Sequence, residues 1–169
     1  LFIIEEQCKW SNYMEKVEVS LIEIIWEGPV DYENLEQYNN NNDYGIYQIY
    51  GFHPVFGPNS LLYIGKAESQ NFSERIPQHK FANWDNIPYT LFFGRINEND
   101  DLWSKYVDYS ERLLVHYTIT PANSQFIADL GNELRGEDSE NLLLINHGRR
   151  GSLPIFLSNL DYKSDVIIE

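Results

Sequence analysis

Residues 44–67 read YGIYQIYGFHPVFGPNSLLYIGKA, and that stretch leaves the chain little freedom. In YGIYQIYG (44–51) aromatic and branched residues alternate with small or polar ones, the two-residue period of a strand. Two prolines and a glycine in FHPVFGPNS (52–60) interrupt regular structure, so a loop is expected there. LLYIGKA (61–67) is the returning strand, and the pair is expected to form an antiparallel hairpin.

The other segments arrange themselves around it. KVEVSLIEIIWEG (16–28) reads as a strand that breaks at Gly28-Pro29, and DYENLEQY (31–38) as a short helix with Asp31 as N-cap. NFSERIPQHKFANW (71–84) reads as a helix in which Asn71 and Glu74 have capping-box spacing. Pro77 is its defect, because proline removes one backbone bond. IPYTLFFGRI (87–96) is a third strand, followed by the polar turn NENDD. LWSKYVDYSERLLVHYTI (102–119) places Trp103, Tyr106, Val107, Leu114 and Tyr117 on one helical face, and TPANSQ ends it. ENLLLINHG (140–148) reads as a late strand. The expectation is one α+β domain: a small three-stranded antiparallel sheet flanked by helices over 44–125, with an acidic N-terminal extension (1–43) and a C-terminal extension (126–169).

Charge narrows the function classes. The 169 residues carry a formal net charge of −14. Residues 1–44 hold 10 acids against 2 bases, residues 45–125 hold 8 against 6, and residues 126–169 hold 8 against 4. The acidity therefore lies in the flanks, which would repel a nucleic-acid duplex, while the middle is nearly neutral. A hydrophobic content of 43% is that of a globular chain. The single Cys8 cannot form an internal disulfide framework. No apolar run approaches the ~20 residues of a membrane span, and LFIIEEQCKW lacks a basic leader. A cytoplasmic protein without membrane association is expected.

Several residues invite chemistry. Glu111 lies at the edge of the apolar stripe of its helix, where a carboxylate needs a partner or a metal. Its ordinary alternative is solvent, or pairing with Arg112 or Lys105. Arg75 and His79 are four residues apart, the spacing that places an arginine fork and an imidazole on one helical face. Tyr47, Tyr63 and Lys66 share the hairpin; a phenol acts as general base only when cations lower its pKa from about 10. Asn123, after Pro121, fits turn chemistry. Arg149 and Arg150, in NHGRRGSLP (146–154), are either a plain surface turn or a phosphate-backbone contact. His53, His116 and His147 lack partners at metal-ligand spacing and read as structural or solvated.

Taken in order, these residues resemble the GIY-YIG nuclease family. Gly45-Ile46-Tyr47 and Tyr63-Ile64-Gly65 spell its paired signature, followed by Lys66, Arg75, His79, Glu111 and Asn123. The resemblance spans residues 44–125. It implies a three-stranded sheet with helices, and hydrolysis of nucleic-acid phosphodiesters, expected to be DNA, with one divalent cation, Mg²⁺ or Mn²⁺. By that resemblance Glu111 holds the metal and Tyr47 is the preferred general base, which Tyr63 could support or replace. Lys66 favours the phenolate, Arg75 clamps the phosphate, His79 hydrogen-bonds the reacting groups and Asn123 fixes the site. Lys66, Arg75, Arg149 and Arg150 are the expected nucleic-acid contacts. A protein partner or an extra DNA-binding domain would supply affinity, and double-strand cutting would need a homodimer. The alternative is a catalytically silent module that binds a protein partner through its acidic flanks.

Overall fold

The structure, a computed structural model, describes residues 2–7, 14–80, 82, 87–97, 100–118, 120–123 and 140–160. Cys8, the expected turn at 98 and 99, residues 81, 83 and 84 of the expected helix, and 124–139 lie outside the described residues.

The hairpin forms as its pattern requires. β3 (Gly45–His53) and β4 (Gly57–Ala67) pair antiparallel, with Tyr47 opposite Gly65 and Ile49 opposite Tyr63. The loop shrinks to a turn at residues 54–56, where the His53 ring stacks on Phe56 and Nδ1 accepts the amides of Val55 and Phe56. β5 (Thr90–Ile96) adds antiparallel to the other side of β3.

The sheet does not stop at three strands. β2 (Met14–Asp31) pairs antiparallel with β5, and β6 (Leu142–Gly148) pairs parallel with β2; the short β7 (Phe156–Ser158) closes the row. The order is β4-β3-β5-β2-β6-β7, with β1 (Phe2–Gln7) paired to the N-terminal half of β2. The expected small three-stranded antiparallel sheet is therefore corrected to a larger, mixed, curled sheet. Two physical facts account for it. β2 absorbs Gly28-Pro29 in a bulge between Glu27 and Val30 instead of ending there. Its partner β6 lies about 120 residues away in sequence, as the buried bond from Trp26 Nε1 to Asn146 Oδ1 records (2.8 Å).

Two cores cover the two faces. One packs Ile24, Trp26, Ile46 and Ile64 beneath Val107 and Leu114 of α2 (Asp100–Thr118). The other packs Tyr47, Ile49, Tyr63 and Phe93 beneath Phe72, Ile76 and Leu35. Leu35 belongs to a 3-10 helix, Tyr32–Gln37, where an α-helix capped by Asp31 was expected; Asp31 makes no side-chain cap bond.

The expected helix at 71–84 is also shorter. α1 (Phe72–Arg75) is one turn, capped by Asn71, whose side chain accepts the Glu74 amide. A 3-10 turn, Ile76–Gln78, follows with Pro77 in its first positions, and His79 is already extended. Proline ends the α-helix as its missing donor dictates. Arg75 and His79 thus meet through a bend rather than along one helical face.

Candidate active site at the open edge of β4

β4 is the last strand in its row, so half of its backbone groups face away from β3. Asn123 satisfies the first outward position: its Nδ2 donates to the Ile64 carbonyl (2.8 Å) and its Oδ1 accepts the Ile64 amide (2.9 Å). Thr120 Oγ1 donates to the same Oδ1. Two residues on, the Glu111 carboxylate lies near the outward Lys66 amide, which helps to lower the pKa of that carboxyl. The edge is thereby covered by one residue from the 3-10 turn Pro121–Asn123 and one from α2.

The phenols approach the same edge from the opposite face. A Cβ on Gly65 would lie 2.7 Å from the Tyr47 hydroxyl and 2.5 Å from Tyr63 Cε1, so only glycine admits both rings there. Tyr47 Oη lies 2.6 Å from His79 Nε2, and the Tyr63 phenol lies beside the Tyr47 ring. The three rings form a cluster, with centroids 6.1 Å apart for Tyr47–Tyr63 and 4.3 Å for Tyr63–His79.

Electrostatics ties these groups to Arg75 and Glu111. Burial raises the Glu111 carboxyl to about 7; Lys66 and Arg75 oppose the rise and Asp108 adds to it. Burial also holds the Tyr47 phenol well above its usual range, with Tyr63 and Glu111 adding and Arg75 opposing. Tyr63 is raised for the same first reason, burial, then by Glu111. His79 is lowered to about 4 by burial and by the Arg75 charge, so its imidazole is neutral at pH 7. Among the described residues no ion pair or hydrogen bond holds the Arg75 guanidinium, and it is partly exposed.

Tyr47, Tyr63 and His79 are therefore in contact, Asn123 holds Ile64 beside Tyr63, and Arg75 and Glu111 act on the phenols through their charge. Lys66 is present but committed: its Nζ binds Asp108 at 2.8 Å and Glu68 at 3.0 Å. Burial lowers its pKa, but those two acids prevail and raise it. Asp108 also binds Arg112 (2.8 Å) and Lys105 pairs with Glu140, so neither cation is needed to explain Glu111. Sequence reasoning missed Asp108; its only signal was a position one helical turn before Glu111 and four residues before Arg112. Arg149 and Arg150 do not join the cluster. The Arg150 carbonyl accepts Gln48 Nε2 (3.2 Å), and Gln48, next to Tyr47 on the strand, points to the other face. The Arg149 and Arg150 side chains donate to the Gly28 and Leu153 carbonyls.

No family model, curated protein or solved structure matches the chain. The resemblance to GIY-YIG nucleases accordingly rests on the sequence motif alone.

Glu111 is the carboxylate of this group that could hold a cation. No cluster of three or more His, Cys, Asp and Glu side chains forms among the described residues, so a cation at Glu111 would take its remaining ligands from water and substrate, as Mg²⁺ commonly does. A carboxylate whose proton is retained to about pH 7 by burial is one that a cation would relieve.

Proposed function

We propose that the chain is a nuclease that hydrolyses nucleic-acid phosphodiesters, DNA first among them, with one divalent cation held at Glu111. The observation that carries this reading is the packed cluster of Tyr47, Tyr63 and His79, on whose phenols and imidazole the Arg75 charge acts and on whose phenols Glu111 also acts.

Burial revises the order of proton transfer. Tyr47 is fully buried, whereas Tyr63 retains 8% exposure, so Tyr63 is the phenol that meets water. As a water oxygen attacks phosphorus and the bond from phosphorus to the leaving nucleoside oxygen breaks, the water proton passes to Tyr63 and the leaving oxygen takes a proton from solvent. The proton is relayed from Tyr63 to the adjoining Tyr47–His79 pair, whose Oη and Nε2 lie 2.6 Å apart, with His79 in the tautomer protonated at Nδ1. The proton thus ends on a neutral imidazole, and no free phenolate is required. Arg75, free of protein partners among the described residues, holds the non-bridging phosphate oxygens as charge develops on them. The cation would supply charge stabilisation at the phosphate. Asn123 positions the site by fixing Ile64, between the two site residues Tyr63 and Gly65.

The acidic flanks favour a second reading, a non-cleaving module for a protein partner. Supercoiled plasmid, single-stranded DNA and RNA, each with Mg²⁺ or Mn²⁺, separate the two. Cation-dependent cleavage that falls at least ~100-fold in Glu111→Gln and in Tyr63→Phe is expected. An intact substrate in every lane, with no binding at low salt, points to the interaction module.

A further inference from the structure

α1 is a single turn, too short to hold itself. Its position is set by what receives its first four amides, and each is accounted for. Phe72 N–H donates to the Asp43 carbonyl (2.9 Å), Ser73 N–H to the Tyr38 carbonyl (3.1 Å), Glu74 N–H to Asn71 Oδ1 (3.0 Å) and Arg75 N–H to the Asn71 carbonyl (3.0 Å). Two of those four acceptors belong to residues 38–43, the segment that leads into β3 and contains the asparagine run.

That segment is held by one buried acid and one arginine. Asp43 Oδ2 accepts the Asn40 amide (2.9 Å) and Asn40 Nδ2 (3.1 Å), and Oδ1 pairs with Arg95 Nη2 (2.7 Å). Arg95, on β5, also donates from Nε to the Asn42 carbonyl (2.9 Å) and pairs through Nη1 with Glu27 (2.9 Å). Its guanidinium lies 5.8 Å from the Phe72 ring and 6.0 Å from the Tyr38 ring. One side chain therefore touches β2, the 38–43 segment and α1 together.

We propose that Asp43 and Arg95 are positioning residues for Arg75, acting through the Asp43 and Tyr38 carbonyls that hold the first turn of α1. The proposal rests on reading Arg75 as the phosphate clamp. Because no described residue grips the Arg75 guanidinium, its place depends on the backbone of α1, and loosening that turn moves the clamp.

Arg95→Met and Asp43→Asn test this, with Arg75→Met as the reference. The first readout is the His79 imidazole titration by NMR, because the Arg75 charge helps to hold that midpoint low. The second is kcat and KM for cleavage of an oligonucleotide. Both variants are expected to raise the His79 midpoint in the direction that Arg75→Met does. They should lower kcat at least tenfold while KM changes less, and adding Arg75→Met to Arg95→Met should cost nothing further. Asn40→Ala deletes a 3.1 Å side-chain bond to Asp43 and gives the same test in milder form should Arg95→Met fail to fold. An unchanged His79 midpoint in a folded variant overturns the proposal, as does a loss additive with Arg75→Met. If the wild-type chain cleaves nothing, the nuclease reading fails, yet the titration still decides whether Asp43 and Arg95 place Arg75.

Discussion

Glu111 and His79 both feel the Arg75 charge but respond to pH in opposite directions. The Glu111 carboxyl, raised by burial from 4.5 to about 7, binds a proton more readily in the folded chain. Its contribution to stability is complete below pH 4.5 and is lost as pH rises through 7. His79, lowered by burial from 6.5 to about 4, contributes fully above pH 6.5 and loses that contribution as pH falls through 4. The two slopes have opposite sign between pH 4.5 and 6.5 and partly offset there. Denaturant titrations without added metal should show a shallow pH dependence for the wild-type chain. Glu111→Gln should unmask stability that rises with pH, and His79→Gln stability that falls with it. Parallel profiles for the two variants would show that these groups are not buried as described.

At the level of elements, the outer edge of β4 is held by side chains rather than by another strand. Asn123→Ala would leave the amide and carbonyl of Ile64 without their partner in a buried place, a loss of about 2–3 kcal/mol. Urea unfolding should show that loss, together with a drop in kcat, because the edge it fixes lies beside Tyr63 and Gly65. Loss of stability with full turnover would make Asn123 a scaffold residue alone. The hairpin itself was legible, since its two-residue period and its Pro-Gly breaks are local signals. The identities at 47, 63, 75, 79 and 111 were legible as an ordered motif. What failed was extrapolation from local rules: Pro77 divides the expected helix, and Gly28-Pro29 does not stop β2 because a bulge accommodates it. The parallel β2–β6 pairing is set by contacts between distant segments, for which neither strand carries a local mark.

For the whole molecule, the acidic N-terminal stretch is part of the fold rather than an attachment. β2 is an inner strand of the sheet, and Leu35 packs in the same core as Tyr47, so removing residues 1–40 would open both cores instead of merely uncovering a site. No helix among the described residues is long and apolar enough to cross a membrane. Charge at this scale also limits substrate binding. On the proposed reading, with Lys66 paired to two acids and Arg149 and Arg150 on the far face, Arg75 is the main phosphate contact among the described site residues. Single-strand affinity should therefore change weakly with salt, with a log–log slope near −1 instead of the steep dependence of proteins that neutralise six to ten phosphates (on the order of −5 to −9). Fluorescence anisotropy across a salt series measures it, and a steep slope would mean that a basic surface has been overlooked. The most direct test of the account is anomalous diffraction from crystals soaked in Mn²⁺, for the wild-type chain and for Glu111→Gln. A single strong peak against the Glu111 carboxylate, beside Tyr63 and Arg75 and absent from the variant, is the predicted result. Manganese scattered over the acidic flanks, with none at residue 111 or the same peak in the variant, would contradict it.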